Sequence, residues 1–138
     1  MSRGISLLEL LIVLVIVGII GALVLPGYRQ YLLRINRTEA MTALMQVQGA
    51  EESFYQRHNT YTGNIFAAPP GGLAMPASIA NRYRLSVAVA TDGQTYIATA
   101  TPAPGGAQEA DEDCLAFSVD ARGRRAVSGT RGARYCWK

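Results

Sequence analysis

The 138-residue sequence predicts an α+β fold, one long N-terminal helix followed by an antiparallel sheet. Three observations predict it. The apolar run "ISLLELLIVLVIVGIIGALVL" passes, through Pro26, into a stretch whose apolar residues recur at helical spacing. Two alternating segments, "YRLSVAVA" and "TYIATATP", flank the turn "TDGQ". The only two cysteines, Cys114 and Cys136, bracket a short basic segment. The length suits one domain, and setting the apolar N-terminus aside leaves about 110 residues, enough for one modest core.

From Ile5 to Leu25 every residue is apolar, Gly or Ala except Ser6 and Glu9. At about 1.5 Å per residue these 21 residues make a helix on the order of 31 Å long, enough to span a bilayer core. A secretory signal has an apolar core of roughly 7–15 residues and a small-residue cleavage site after it. Here the run is longer and "PGYRQY" follows, so it reads as a retained anchor. Glu9 is the anomaly, because an intramembrane acid is costly and marks function with a partner. Two readings stay open. Either Glu9 reaches back to the head groups, or a cut after Gly4 creates an amine on Ile5 that pairs with Glu9 of a neighbouring subunit.

Pro26 removes one helix hydrogen bond and is expected to kink or loosen the helix there. Beyond it, Ala40, Leu44, Val47 and Phe54 share one face with Met41 and Met45 beside them, and Glu39, Gln46, Glu51 and Arg57 are placed largely elsewhere. The helix is expected from about Ile5 to Arg57. "HNTYTG" ends it, and a loop runs through "AAPPGG" to about Asn81. Strands follow at Tyr83–Ala90 and Thr95–Pro102, with Asp92-Gly93 as the turn. "PAPGGAQEADED" reads as an acidic loop, then come a strand at Leu115–Asp120, a turn at Ala121–Gly123 and a short strand at Arg125–Ser128.

Cys114 and Cys136 are either buried thiols or a disulfide. An anchored chain with a small, loop-rich C-terminal region suits an oxidising compartment, which favours the bond. With one His and no other Cys, no metal site is expected. His58 reads as a solvated helix-end residue, and the Gly-rich stretches lack the strand–loop–helix setting of a phosphate site. No catalytic constellation and no cofactor are expected.

Charge is unevenly spread. Glu109, Asp111, Glu112 and Asp113 stand together, whereas Asp120 to Lys138 holds six bases (Arg122, Arg124, Arg125, Arg131, Arg134, Lys138) and one acid. Beside Tyr135 and Trp137, these bases resemble a nucleic-acid surface. The alternative is a solvated face with Arg125 or Arg134 paired to the acidic loop and Trp137 packed beside the cysteines.

The stretch "RG|ISLLELLIVLVIVGIIGALVLPGY" resembles the class III signal of type IV prepilins, with Gly4, Glu9, Gly18 and Pro26 as the matching positions. Ile5 departs from the family's usual Phe. The resemblance implies cleavage after Gly4 by a prepilin peptidase and N-methylation of Ile5 by the same enzyme. It also implies a Glu9 salt bridge to a neighbour's N-terminus and a disulfide stapling the last segment to the sheet. A positive-inside count, with Arg3 before the span and Arg29, Arg34 and Arg37 after it, points the C-terminus inward. The resemblance and the cysteines point it outward, with the N-terminus cytoplasmic.

The implied organisation is a leader at 1–4, a transmembrane and filament-core segment at 5–25, an amphipathic segment at 26–57, and a sheet domain at 58–138 with the disulfide loop 114–136. The later stretches are most similar to small minor pilins of Gram-negative type IVa systems. The implied role is a structural filament subunit that starts in the inner membrane and ends in the pilus. Its implied partners are other pilin subunits and the assembly machinery, in the service of twitching, adhesion or DNA uptake. Two other readings are a competence pilin holding double-stranded DNA on the basic C-terminal residues, and a pseudopilin of a type II secretion machine. The disulfide loop and the short helix-to-sheet region favour the pilus.

Overall fold

The computed structural model describes residues 6–76, 78, 79 and 81–138, Ser78 by its backbone alone. Helix α1 (Leu7–His58) is 52 residues long and stays helical through Pro26. The chain divides into two compact units, the first ending at Arg34 and the second comprising Ile35–Lys138. In the first, the large apolar side chains from Leu7 to Leu25 are exposed along the whole helix. This helix is long and apolar enough to cross a membrane.

The second unit is a five-stranded antiparallel sheet in sequential order, β1 (Ser78–Ile79), β2 (Tyr83–Val89), β3 (Tyr96–Pro102), β4 (Phe117–Asp120) and β5 (Arg125–Val127). One face carries Tyr83, Leu85, Tyr96, Ala98, Ala100, Phe117 and Val119 onto the Ala40, Met41, Ala43, Leu44 and Val47 face of α1, forming one core. Period-two alternation does this. Tyr96, Ala98 and Ala100 point in, while Ile97 and Thr101 are exposed.

The β2–β3 turn forms where Asp92-Gly93 placed it. Ala90 donates its N–H to Thr95 O at 2.9 Å, and Gly93 has φ +67°. A Cβ there would lie 2.1 Å from Thr60 Oγ1, so glycine is required twice over.

Several elements differ from expectation. β1 lies inside the expected loop; two residues are too few to show alternation. β4 starts at Phe117, because Leu115 adopts a left-handed φ of +49° and cannot extend the strand. A 3₁₀ turn (Ala107–Ala110) and helix α2 (Ala133–Cys136) lie in segments read as loop; each is about one turn long, below the reach of periodicity. Glu51 is 0% exposed rather than outside the core face. It lies two turns after Leu44, on the same stripe.

Cys114 and Cys136 form a disulfide with Cα atoms 5.8 Å apart, buried on both sides. The segment they close folds back on the residues before β4. Gly129 and Arg131 donate N–H groups to Cys114 O at 3.0 Å and Asp113 O at 2.9 Å. At Gly129 a Cβ would sit 2.3 Å from Asp113 O, so the approach needs glycine.

Candidate functional site

Gly4 and Ile5, the expected cleavage and methylation positions, lie outside the described residues. Glu9 is in the first turn of α1, where a carboxylate suits the helix dipole, and it is exposed among exposed leucines.

The C-terminal charges are organised by α1. Arg37 donates through Nε and Nη2 to Asp111 Oδ2 at 2.7 Å and Oδ1 at 2.6 Å. These bonds hold the Arg37 guanidinium above its ordinary value despite burial. Next to it, Asn36 donates to Gln108 Oε1 at 2.8 Å and Gln108 donates to the Tyr83 hydroxyl at 2.7 Å. Burial pushes the Tyr83 phenol up to about 12. Asp113 continues the cluster, 3.9 Å from Arg37 Nη2 and 3.5 Å from Arg131 Nε. The acidic loop is therefore met by Arg37 and Arg131, not by Arg125 or Arg134. Sequence spacing held the signal, since Arg37 falls in phase with Ala40, Met41 and Leu44.

The six bases are all exposed, and five of them fall into two groups. Arg131 and Lys138 gather on the Tyr135 ring, at 5.0 Å and 5.7 Å from its centroid. Arg125 opens β5, and Arg122 and Arg124 belong to the β4–β5 turn. There Asp120 Oδ1 accepts the N–H groups of Arg122 and Arg124, and Oδ2 accepts Arg124 Nε at 2.6 Å. Burial opposes ionisation of Asp120, yet these donors hold its carboxyl below the usual range. Arg125 lies 5.0 Å over Trp137. Trp137 packs edge-on against Phe117 and donates Nε1–H to Ala126 O at 3.1 Å, so it braces β5. Both aromatics thus carry cations on their rings. Among the described residues Arg122 and Arg134 have no side-chain ion pair. Arg124 and Arg125 line a groove of about 280 Å³ with Ile97, Ser118, Asp120 and Ala126 on the outer face of the sheet.

At the other end of the sheet, Glu51 Oε2 accepts the Thr62 N–H at 3.1 Å. Among the described residues, its Oε1 and the buried Tyr96 hydroxyl have no hydrogen-bond partner. Burial pushes the Glu51 carboxyl up and drives the Tyr96 phenol far above its ordinary value.

Residues 26–118 match the family described as type IV minor pilin ComP, DNA uptake sequence receptor. The type IV major pilin protein PilE1 of Neisseria gonorrhoeae is 37% identical over 91 residues, 65% of this chain and 41% of that protein. The fimbrial protein EcpC of Eikenella corrodens is 33% identical over 100 residues, 72% of this chain and 62% of that protein. The chain spans about half the length of the curated relatives it matches. A solved type IV pilin from Shewanella oneidensis shares the fold, with a TM-score of 0.54 at 20% identity over 77% of this chain and 98% of that one. The long helix, the antiparallel sheet and the C-terminal disulfide are those of structural pilins. With the greater part of its length matched, the chain belongs to the type IV minor pilin family.

Proposed function

We propose that this minor pilin is a structural subunit, held first in the inner membrane with its N-terminus cytoplasmic and then drawn into a filament with other pilin subunits. The observation that carries this reading is the uncovered apolar helix. From Leu7 to Leu25 its large apolar side chains are exposed, and such a surface needs lipid or neighbouring helices. On this reading the leader is residues 1–4, prepilin peptidase cuts after Gly4 and methylates Ile5, and the assembly machinery takes up the matured chain. Residues 5–25 then form the filament core, 26–57 bridge to the globular part, and 58–138 face outward. Glu9 meets the N-terminal amine of a neighbour that would otherwise be buried unpaired. The work is assembly, not catalysis.

The test separates sheared filaments from membranes in cells making wild-type or Glu9→Val chains. Wild type is expected in both fractions and Glu9→Val in membranes only. Wild type absent from filaments overturns the subunit role. Glu9→Val assembling like wild type overturns the charge pair and leaves head-group contact as the account of Glu9.

A second reading, favoured by the six exposed bases and by the matched family's description as a DNA uptake sequence receptor, is that the subunit also holds double-stranded DNA. A soluble chain starting at Tyr28 titrated with duplex at several salt concentrations tests this. Replacing Arg122, Arg124 and Arg131 together is expected to flatten the salt dependence by about one unit per lost phosphate contact.

A further inference from the structure

We propose that the duplex lies across the outer face of the sheet and that Arg84, on β2, forms a second cationic rim opposite Arg124. This rests on the nucleic-acid reading above and adds a surface and a residue to it.

The strand register carries the inference. Ser86 pairs with Thr99, Thr99 with Ser118, and Ser118 with Ala126, so one row crosses β2 to β5. The next row runs Ala88, Ile97, Asp120, and Arg84 pairs with Thr101 on the other side. All these residues alternate with the buried ones, which places them on the face away from α1. The floor between the rims is therefore low, built of small side chains with hydroxyl donors. Among the described residues the Ser86, Thr99 and Ser118 hydroxyls make no hydrogen bond within the chain.

The rims are complementary to phosphate. Arg84 is exposed and has no ion pair among the described residues. Three strand spacings of about 4.8 Å separate β2 from β5, and Arg84 lies two rows along the strand from the Asp120 row that Arg124 faces, so the two arginines stand roughly 20 Å apart along the backbone. Arginine side chains inclined toward the floor narrow that span toward the roughly 12 Å width of a duplex major groove, so cations on the two rims reach phosphates of both strands. The single acid on this face, Asp120, is already held by Arg124. Because Tyr135 and Trp137 bear cations on their rings, backbone contact to a duplex suits the surface better than stacking with unpaired bases.

The full chain in detergent micelles is titrated with a fluorescent mixed-sequence duplex at several salt concentrations. Variants are Arg84→Gln, Ser86→Glu, which puts a carboxylate on the floor, and Arg57→Gln at the helix end as a net-charge control. Circular dichroism confirms that each is folded. Arg84→Gln is expected to weaken binding about tenfold at low salt and lower the salt slope by about 0.9. Ser86→Glu is expected to weaken it at least as much, and Arg57→Gln to bind like wild type. Wild type that binds while Arg84→Gln and Ser86→Glu match Arg57→Gln overturns the sheet-face surface and leaves the nucleic-acid reading standing. No wild-type binding at low salt overturns both.

Discussion

Arg37 and Asp111, 74 positions apart in the chain, form a two-pronged ion pair whose side chains are 7% and 1% exposed. Removing one member leaves the other charge buried alone. Arg37→Ala is therefore expected to lower the stability of a chain starting at Tyr28 by roughly 3–5 kcal/mol. The double change Arg37→Met with Asp111→Leu is expected to land much nearer wild type, since it removes both desolvation costs. Urea unfolding midpoints compare the three, and equal losses for single and double variants would refute the pairing argument.

Glu51 and Asp120 are expected to give opposite pH profiles. Burial raises the folded-state value of Glu51, so its contribution is fully present below the unfolded value and is lost as pH rises through the folded one. For Asp120 the folded value is lowered, so its contribution is present above the unfolded value and is lost as pH falls through the folded one. Relative to wild type, Glu51→Gln should gain stability as pH rises above the ordinary carboxylate range. Asp120→Asn should show its deficit at neutral pH and converge on wild type in strong acid. Thermal unfolding from acid to neutral pH reads both.

Opening the disulfide, by reduction or by replacing Cys114 and Cys136 with Ser, is expected to cost about 3 kcal/mol on the loop-entropy estimate. Hydrogen exchange should quicken in residues 115–135 more than in α1. The pairing of Gly129 and Arg131 with residues 113 and 114 depends on that closure. Equal acceleration everywhere would mean that the bond stabilises the whole unit rather than the segment.

Intact-mass measurement of the protein from membranes of cells with active peptidase should show a mature chain beginning at Ile5 with one added methyl. An unprocessed chain, or a cut after Ala22, would defeat the proposed leader.

Much of this architecture was legible because its signals are periodic. The helix run, the alternation in "YRLSVAVA" and the Asp92-Gly93 turn each repeat or use a residue with special backbone freedom. Where length fell below a period, legibility ended. β1, α2 and the 3₁₀ turn are local responses to neighbours rather than to their own pattern. The charge cluster was half legible. Clustered acids and bases were visible, but Arg37, sitting on the core stripe of α1, was counted only as a flanking charge. Glu51 is illegible for the same reason, since a polar residue in phase with Leu44 reads as surface. The division of the bases depends on strand register and on which rings the cations cover, and neither is written in composition.

The strand order of the sheet is also its chain order. Each strand therefore pairs with the next one along the chain, with no crossover to thread, and apart from the longer β3–β4 connection the loops are short, so the entropy lost at their closure is small. Topology of this kind lets pairing spread outward from the β2–β3 hairpin, and local pairing speeds folding. On the proposed reading, the globular part can thus mature quickly while the apolar helix is still in lipid, leaving few unpaired strand edges for neighbouring chains to capture during assembly.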